Sequence, residues 1–163
     1  QIKIMKQSQI KKLVKEGQIQ ILINLQVQGN NSEAIDKATR KQIDEIVELG
    51  KEIRARISAP ELIDQEKGWF SQYAEIELLV PNSDTIFDIM LDYMVTNIEI
   101  LAPKKIELKA ETHQDRLNDL ILKFRESEKA ILLLAAHRKM LEAEVETLKK
   151  PKSKKKKSPK SKE

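Results

Sequence analysis

Gln18-Ile19-Gln20-Ile21-Leu22-Ile23-Asn24-Leu25-Gln26-Val27-Gln28 decides the fold. Ile19, Ile21, Ile23, Leu25 and Val27 occupy every second position, and Gln18, Gln20, Asn24, Gln26 and Gln28 fill most of the places between them. Side chains of a strand point to alternate faces. This stretch therefore predicts a β-strand with one apolar face in a core and one amide-rich face turned away. Gly29-Asn30-Asn31-Ser32 ends the alternation and supplies helix N-cap residues. Ile35, Ala38, Ile43, Ile46 and Leu49 then recur at helical spacing until Gly50.

Downstream the alternation returns. Ile53, Ala55, Ile57 and Ala59 predict a second strand over Glu52–Ala59, confined to an edge by Pro60, which cannot donate to a ladder. Glu66-Lys67-Gly68 predicts a turn into a third strand, with Phe70, Ala74, Ile76, Leu78 and Val80 facing the core. Pro81-Asn82-Ser83-Asp84 marks a helix start, with Ile86, Met90, Tyr93 and Met94 as its buried face. Ile98-Glu99-Ile100 reads as a fourth strand ending near Pro103, with Ile106 and Leu108 continuing extended. The order β-α-β-β-α-β predicts an α+β, ferredoxin-like sandwich over residues 17–110. Before it, residues 1–16 are polar and basic, with Ile10, Leu13 and Val14 hinting at a short helix. The start has no apolar signal-peptide core, and the chain reads either as a fragment or as beginning naturally at Met5.

Residues 111–150 predict one long helix. Thr112-His113-Gln114-Asp115 has capping-box spacing. At heptad spacing, Leu117, Phe124, Ile131, Arg138 and Val145 form one column, and Leu120, Ser127, Leu134, Leu141 and Leu148 the other. Eight of these ten positions are apolar, which predicts a coiled-coil seam and self-association as a dimer or higher oligomer. Such a helix would reach roughly 50 Å. Ala130–Ala136 is apolar on every side. A two-stranded seam wets half of that run, so it requires burial from more than one direction, by other subunits or by the chain's own sheet. The sequence leaves both open.

Pro151 stops the helix and a disordered basic tail is expected over 151–163. Lys149, Lys150, Lys152, Lys154, Lys155, Lys156, Lys157, Lys160 and Lys162 put nine lysines against one glutamate in the last fifteen residues. Taking these from 30 basic and 26 acidic residues leaves 21 against 25, so the body is mildly acidic. A lysine run neutralises phosphates without reading sequence. It holds no aromatic side chain to stack on bases and no arginine to clasp guanine. The same run would serve as a nuclear import signal in a eukaryote or meet an acidic membrane surface. The bland alternative is a solvated end that aids solubility.

The remaining candidates are weaker. Trp69 and Tyr73 share a face of the third strand, beside the amides of the first, and are the candidate sheet-face contacts. Lys67-Gly68-Trp69-Phe70 and Asn24-Leu25 resemble fragments of the two RNA recognition motif signatures. The first strand lacks that family's aromatic, and Glu75 and Glu77 place negative charge where phosphates would pass. Asp84, Asp88 and Asp92 form an acidic stripe, expected to be solvated, since ligands on one straight helix do not converge on a metal. His113 and His137 have no matching constellation. Absence of cysteine excludes disulfides, thiolate metal sites and cysteine nucleophiles. Ile86–Ala102, with Asp92-Tyr93 and Ile98-Glu99-Ile100-Leu101-Ala102-Pro103, resembles the end of the C-terminal extension of WYL-type bacterial regulators. That resemblance rests on common residue types and carries no functional residue across.

The expectation is a non-enzymatic assembly or adaptor protein, without cofactor or metal. It would bind nucleic acid or a ribonucleoprotein through its lysine tail, in the cytoplasm, or in the nucleus of a eukaryote. The alternative is an ACT-like regulatory or adaptor domain that binds a small effector or a protein, with the tail incidental.

Overall fold

The alternating stretch forms the central strand of an antiparallel sheet. In a computed structural model that describes residues 5–149, α1 (Gln7–Lys15) leads into β1 (Ile19–Gly29). Then follow α2 (Ser32–Glu48), β2 (Lys51–Ile57), β3 (Glu61–Asp64), β4 (Trp69–Val80), α3 (Ser83–Asp92), β5 (Val95–Ala102) and α4 (Ala110–Lys149). The class is α+β with an antiparallel sheet and a long C-terminal helix. The chain divides into two units between Asn118 and Asp119, so α4 spans the division.

The sheet runs β2-β4-β1-β5, with β3 paired to β4 beside that path. Five strands replace the expected four. The extra strand lies between Pro60 and the expected turn at Glu66-Lys67-Gly68, where no element was expected. β3 is four residues long and pairs its Leu62 with Phe70 and its Asp64 with Trp69. Nor does Ile106–Leu108 continue β5, which ends at Ala102.

Ile19, Ile21, Ile23 and Leu25 are all buried, together with Ala74, Ile76, Leu78 and Val80 of β4, against Ile43 and Ile46 of α2 and Ile89 of α3. Asn31 caps α2 by accepting from the Ala34 N–H at 2.9 Å, and Asn82 caps α3 by accepting from the Thr85 N–H at 3.0 Å. Gly50 joins α2 to β2 where a Cβ would come within 2.7 Å of the Leu79 carbonyl oxygen, so no other residue fits without a backbone shift.

The buried face of α3 matches the expected one in part, since Ile86 and Tyr93 pack against the core. Ile89 is its fully buried residue, while Met90 and Met94 are exposed. Helical spacing breaks at Tyr93, whose backbone is extended (φ −120°, ψ 160°), so Met94 no longer follows the helix period.

The other sheet face is covered at one end by α1. Ile10, 1% exposed, packs with Ile53 and Leu79, flanked by Met5, Leu13 and Val14. A nine-residue helix is too short to persist alone in water, so this apolar contact holds α1 in place.

Candidate functional site

α4 is the long helix on which the expected seam residues lie. It forms because residues 110–149 contain no Gly or Pro and are rich in Ala, Leu, Glu, Lys and Arg, the strongest helix formers. It begins at Ala110, two residues before Thr112, so Thr112 lies inside the first turn and is no cap. None of its residues is buried. Leu117, Phe124, Ile131, Leu134, Leu141, Val145 and Leu148 are all exposed, and Leu120 is partly so. Beyond Leu120, exposure of the large apolar side chains runs from 46% at Val145 to 84% at Leu148. Leu122, Leu132, Leu133 and Met140 lie off the seam and are equally bare. The apolar surface thus wraps around the helix.

The two polar positions of the expected seam each make one side-chain bond within the helix. Ser127 Oγ donates to the Lys123 carbonyl at 2.9 Å, and Arg138 Nε donates to Glu142 Oε1 at 2.7 Å. Ser127 thereby satisfies its single hydroxyl donor, while Arg138 engages one of the five N–H groups of its guanidinium.

Of the nine candidate lysines, Lys149 is the last residue of α4 and is exposed. A cation at a helix C-terminus is favoured by the macrodipole. Lys150, Lys152, Lys154, Lys155, Lys156, Lys157, Lys160 and Lys162 lie outside the described residues.

The sheet-face candidates are only partly brought together. Tyr73 pairs across from Gln26 of β1, whose Nε2 donates to the Tyr73 hydroxyl at 2.7 Å and to Ser71 Oγ at 3.0 Å. Trp69 lies one residue beyond the last β1–β4 pair, Gly29 with Phe70, and so has no β1 amide opposite it. Glu75 and Glu77 are held by Arg54, at 3.5 and 3.1 Å. Gln20 also donates to Glu77, which is buried, at 2.7 Å. One guanidinium thus offsets one of the two negative charges here, and the Gln20 amide gives Glu77 a further hydrogen bond.

The acidic stripe has a partner. Arg116 Nε lies 3.1 Å from Asp84 Oδ1, and its second nitrogen 3.1 Å from Asp88 Oδ1. Those carboxylates are thus occupied by a guanidinium of α4 and are not merely solvated. Among the described residues no group of acidic, His or Cys side chains converges as a metal site would.

One polar site escaped sequence reasoning. Gln72 is fully buried on the inner face of β4, and its Nε2 donates to Asp36 Oδ1 and to the Ser58 carbonyl, each at 2.8 Å. Its Oε1 finds no partner among the described residues. Arg40 Nε, 2.8 Å from Asp36, holds that carboxyl below the usual carboxylate range, and the Gln72 amide adds to the effect. The signal was present: glutamine stands between Phe70 and Ala74 at an inward position of the alternation. Burial pushes the Tyr93 phenol up, with the Glu45 carboxylate adding to it.

The model of the MJ0538 family matches residues 18–153. The chain belongs to the MJ0538 family. The matched stretch opens just before β1, takes in the whole sheet and α4, and reaches the first lysines of the tail. In this MJ0538-family chain α1 lies ahead of the match. Neither the curated proteins nor the solved structures return a match. Among the described residues, no helix is long and apolar enough to cross a membrane.

Proposed function

We propose that this chain is a non-enzymatic assembly protein of the cytoplasm, in which α4 joins copies of the molecule and the lysines from Lys149 to Lys162 grip a polyanion, either nucleic acid or a ribonucleoprotein. The observation that carries the reading is the bare seam of α4. Eight apolar side chains in register, most of them half exposed or more, are an unmet demand for burial. Covering both seams of a pair would yield on the order of 20 kcal/mol, against an association cost of about 4–15 kcal/mol. Association is then favourable. Pairing two tails raises the effective concentration of the second once the first is bound, which turns weak lysine–phosphate contacts into useful affinity.

The domain itself we read as ferredoxin-like with β3 as an insertion. In support, β4 lies between β1 and β2, and β1 between β4 and β5.

Removal of residues 150–163 tests the reading. The truncated chain should keep its urea midpoint and its oligomeric mass while losing affinity for duplex DNA and RNA, measured by fluorescence anisotropy at two salt concentrations. The full chain should show a steep salt dependence. Undiminished nucleic-acid binding by the truncated chain would overturn the proposal.

A rival reading, an ACT-like regulatory or adaptor domain, draws on the outer sheet face, where half-exposed Tyr73 stands across from Gln26. Thermal stabilisation by a metabolite at high salt, without polyanion affinity, would favour it.

A further inference from the structure

We infer that the α4 seam pairs antiparallel with the α4 of a second copy, in the one alignment that sets Ser127 against Arg138. The inference rests on the proposed self-association and adds its direction.

Ten seam positions can be aligned head-to-tail so that all of them meet a partner. Leu117 then faces Leu148, Leu120 faces Val145, Phe124 faces Leu141, Ile131 faces Leu134, and Ser127 faces Arg138. Every layer is either wholly apolar or wholly polar. The polar residues coincide, and no apolar side chain is wasted on a charged one. The two-fold axis of this alignment falls between Leu132 and Leu133, inside the apolar run Ala130–Ala136. The most apolar part of the helix therefore meets its own copy at the centre.

The parallel, in-register alternative stacks each seam residue on itself. Arg138 would face Arg138, placing two guanidinium groups in one layer of an apolar seam, while Ser127 faces Ser127. Its compensation lies at the rim, where Lys123 meets Glu128 and Glu144 meets Lys149. Rim pairs between exposed side chains are individually weak because water screens them. The antiparallel alignment keeps a rim attraction as well, Lys123 against Glu144, once on each side of the axis. Like charge buried at the seam outweighs screened attraction at its edge, so the head-to-tail alignment is preferred.

The local geometry fits this layer. Arg138 is held by Glu142 on its own helix, so its side chain reaches the seam already partnered. Ser127 is short and its hydroxyl turns back to the Lys123 carbonyl, which leaves room for the long guanidinium opposite. A second copy is thus the occupant that the pattern specifies.

Ser127→Glu separates the two alignments by sign. Head-to-tail, the new carboxylate faces the partner's Arg138, and self-association should tighten about tenfold. In parallel, two carboxylates share a layer and association weakens. Position 127 lies on an exposed stretch of α4, and glutamate is the better helix former, so the variant should fold. A second measurement uses the absence of native cysteine. Leu120→Cys and Val145→Cys chains, mixed and oxidised, should join to each other, and neither should join to itself. Weakened or unchanged association of Ser127→Glu, or self-linking of each cysteine variant alone, would overturn the inference and leave self-association standing. A full unsubstituted chain that stays monomeric at every concentration tested would instead sink the self-association itself, and the inference with it.

Discussion

Leu134→Asp together with Leu141→Asp asks where the apolar surface of α4 is buried. In the single chain these leucines are 67% and 59% exposed. Replacing them costs the fold little: surface substitutions usually stay within about 0.5 kcal/mol, and aspartate adds a helix-propensity cost of about 0.5 kcal/mol at each site. In a pair of chains the same change strips four leucines from the interface. Complete burial of a leucine is worth about 1.5–3 kcal/mol, and roughly three-fifths of each side chain remains to be covered. The pair therefore loses on the order of 4–8 kcal/mol, before counting four carboxylates in an apolar seam. The dissociation constant should rise at least about a thousandfold. Sedimentation velocity over a concentration series reads the association, and urea unfolding of dilute protein reads the fold. An unchanged mass would refute any role for the seam. A drop of several kcal/mol in the stability of the monomer would refute it differently, by showing that these leucines cover the chain's own domain.

Two further outcomes follow from the domain. Ile10→Ala should cost about 2–4 kcal/mol, the usual range for a large buried aliphatic side chain cut to alanine, and should strip hydrogen-exchange protection from α1; an unchanged urea midpoint would show that α1 does not depend on this contact. Asp36 has its carboxyl pK lowered by Arg40, so its contribution to stability is present above the unfolded value near 4 and is lost as pH falls through the lower folded value; Asp36→Asn should flatten the acid limb of a pH–stability curve, and an identical limb in both proteins would contradict the assignment.

Much of the sheet was legible because alternation is a strong signal when one face is buried. β1 shows it cleanly, since each second side chain from Ile19 to Val27 is in the core. β3 was hidden because four residues flanked by Pro60 and a charged turn carry no period, and the strand exists only by pairing with the start of β4. Of the expected face of α3, Ile86 and Tyr93 pack against the core while Met90 and Met94 are exposed; Met94 was misplaced because the period was counted through Tyr93, where the backbone has already left the helix. The long helix α4 was readable from composition and spacing. Arg116 as partner of Asp84 and Asp88 was not, because 28 to 32 positions separate the residues and only tertiary packing brings them together.

The two faces of the sheet differ from α4 in how much of their surface the chain itself satisfies. The inner face is closed by α2 and α3, with Ile43, Ile46 and Ile89 completing the core. On the outer face α1 covers the apolar end at Leu79 and Ile53. Further along, the side chains answer one another: Arg54 bridges Glu75 and Glu77, Gln20 reaches Glu77, and Gln26 joins Tyr73 to Ser71. A polar surface whose donors and acceptors are paired has little to gain from a partner, because binding would exchange one set of hydrogen bonds for another. α4 stands in the opposite condition. From Ile121 to Leu148 its Leu, Ile, Phe and Met side chains are half exposed or more, and releasing water from them is favourable. The proposed self-association therefore draws on the helix whose apolar side chains the chain itself covers least.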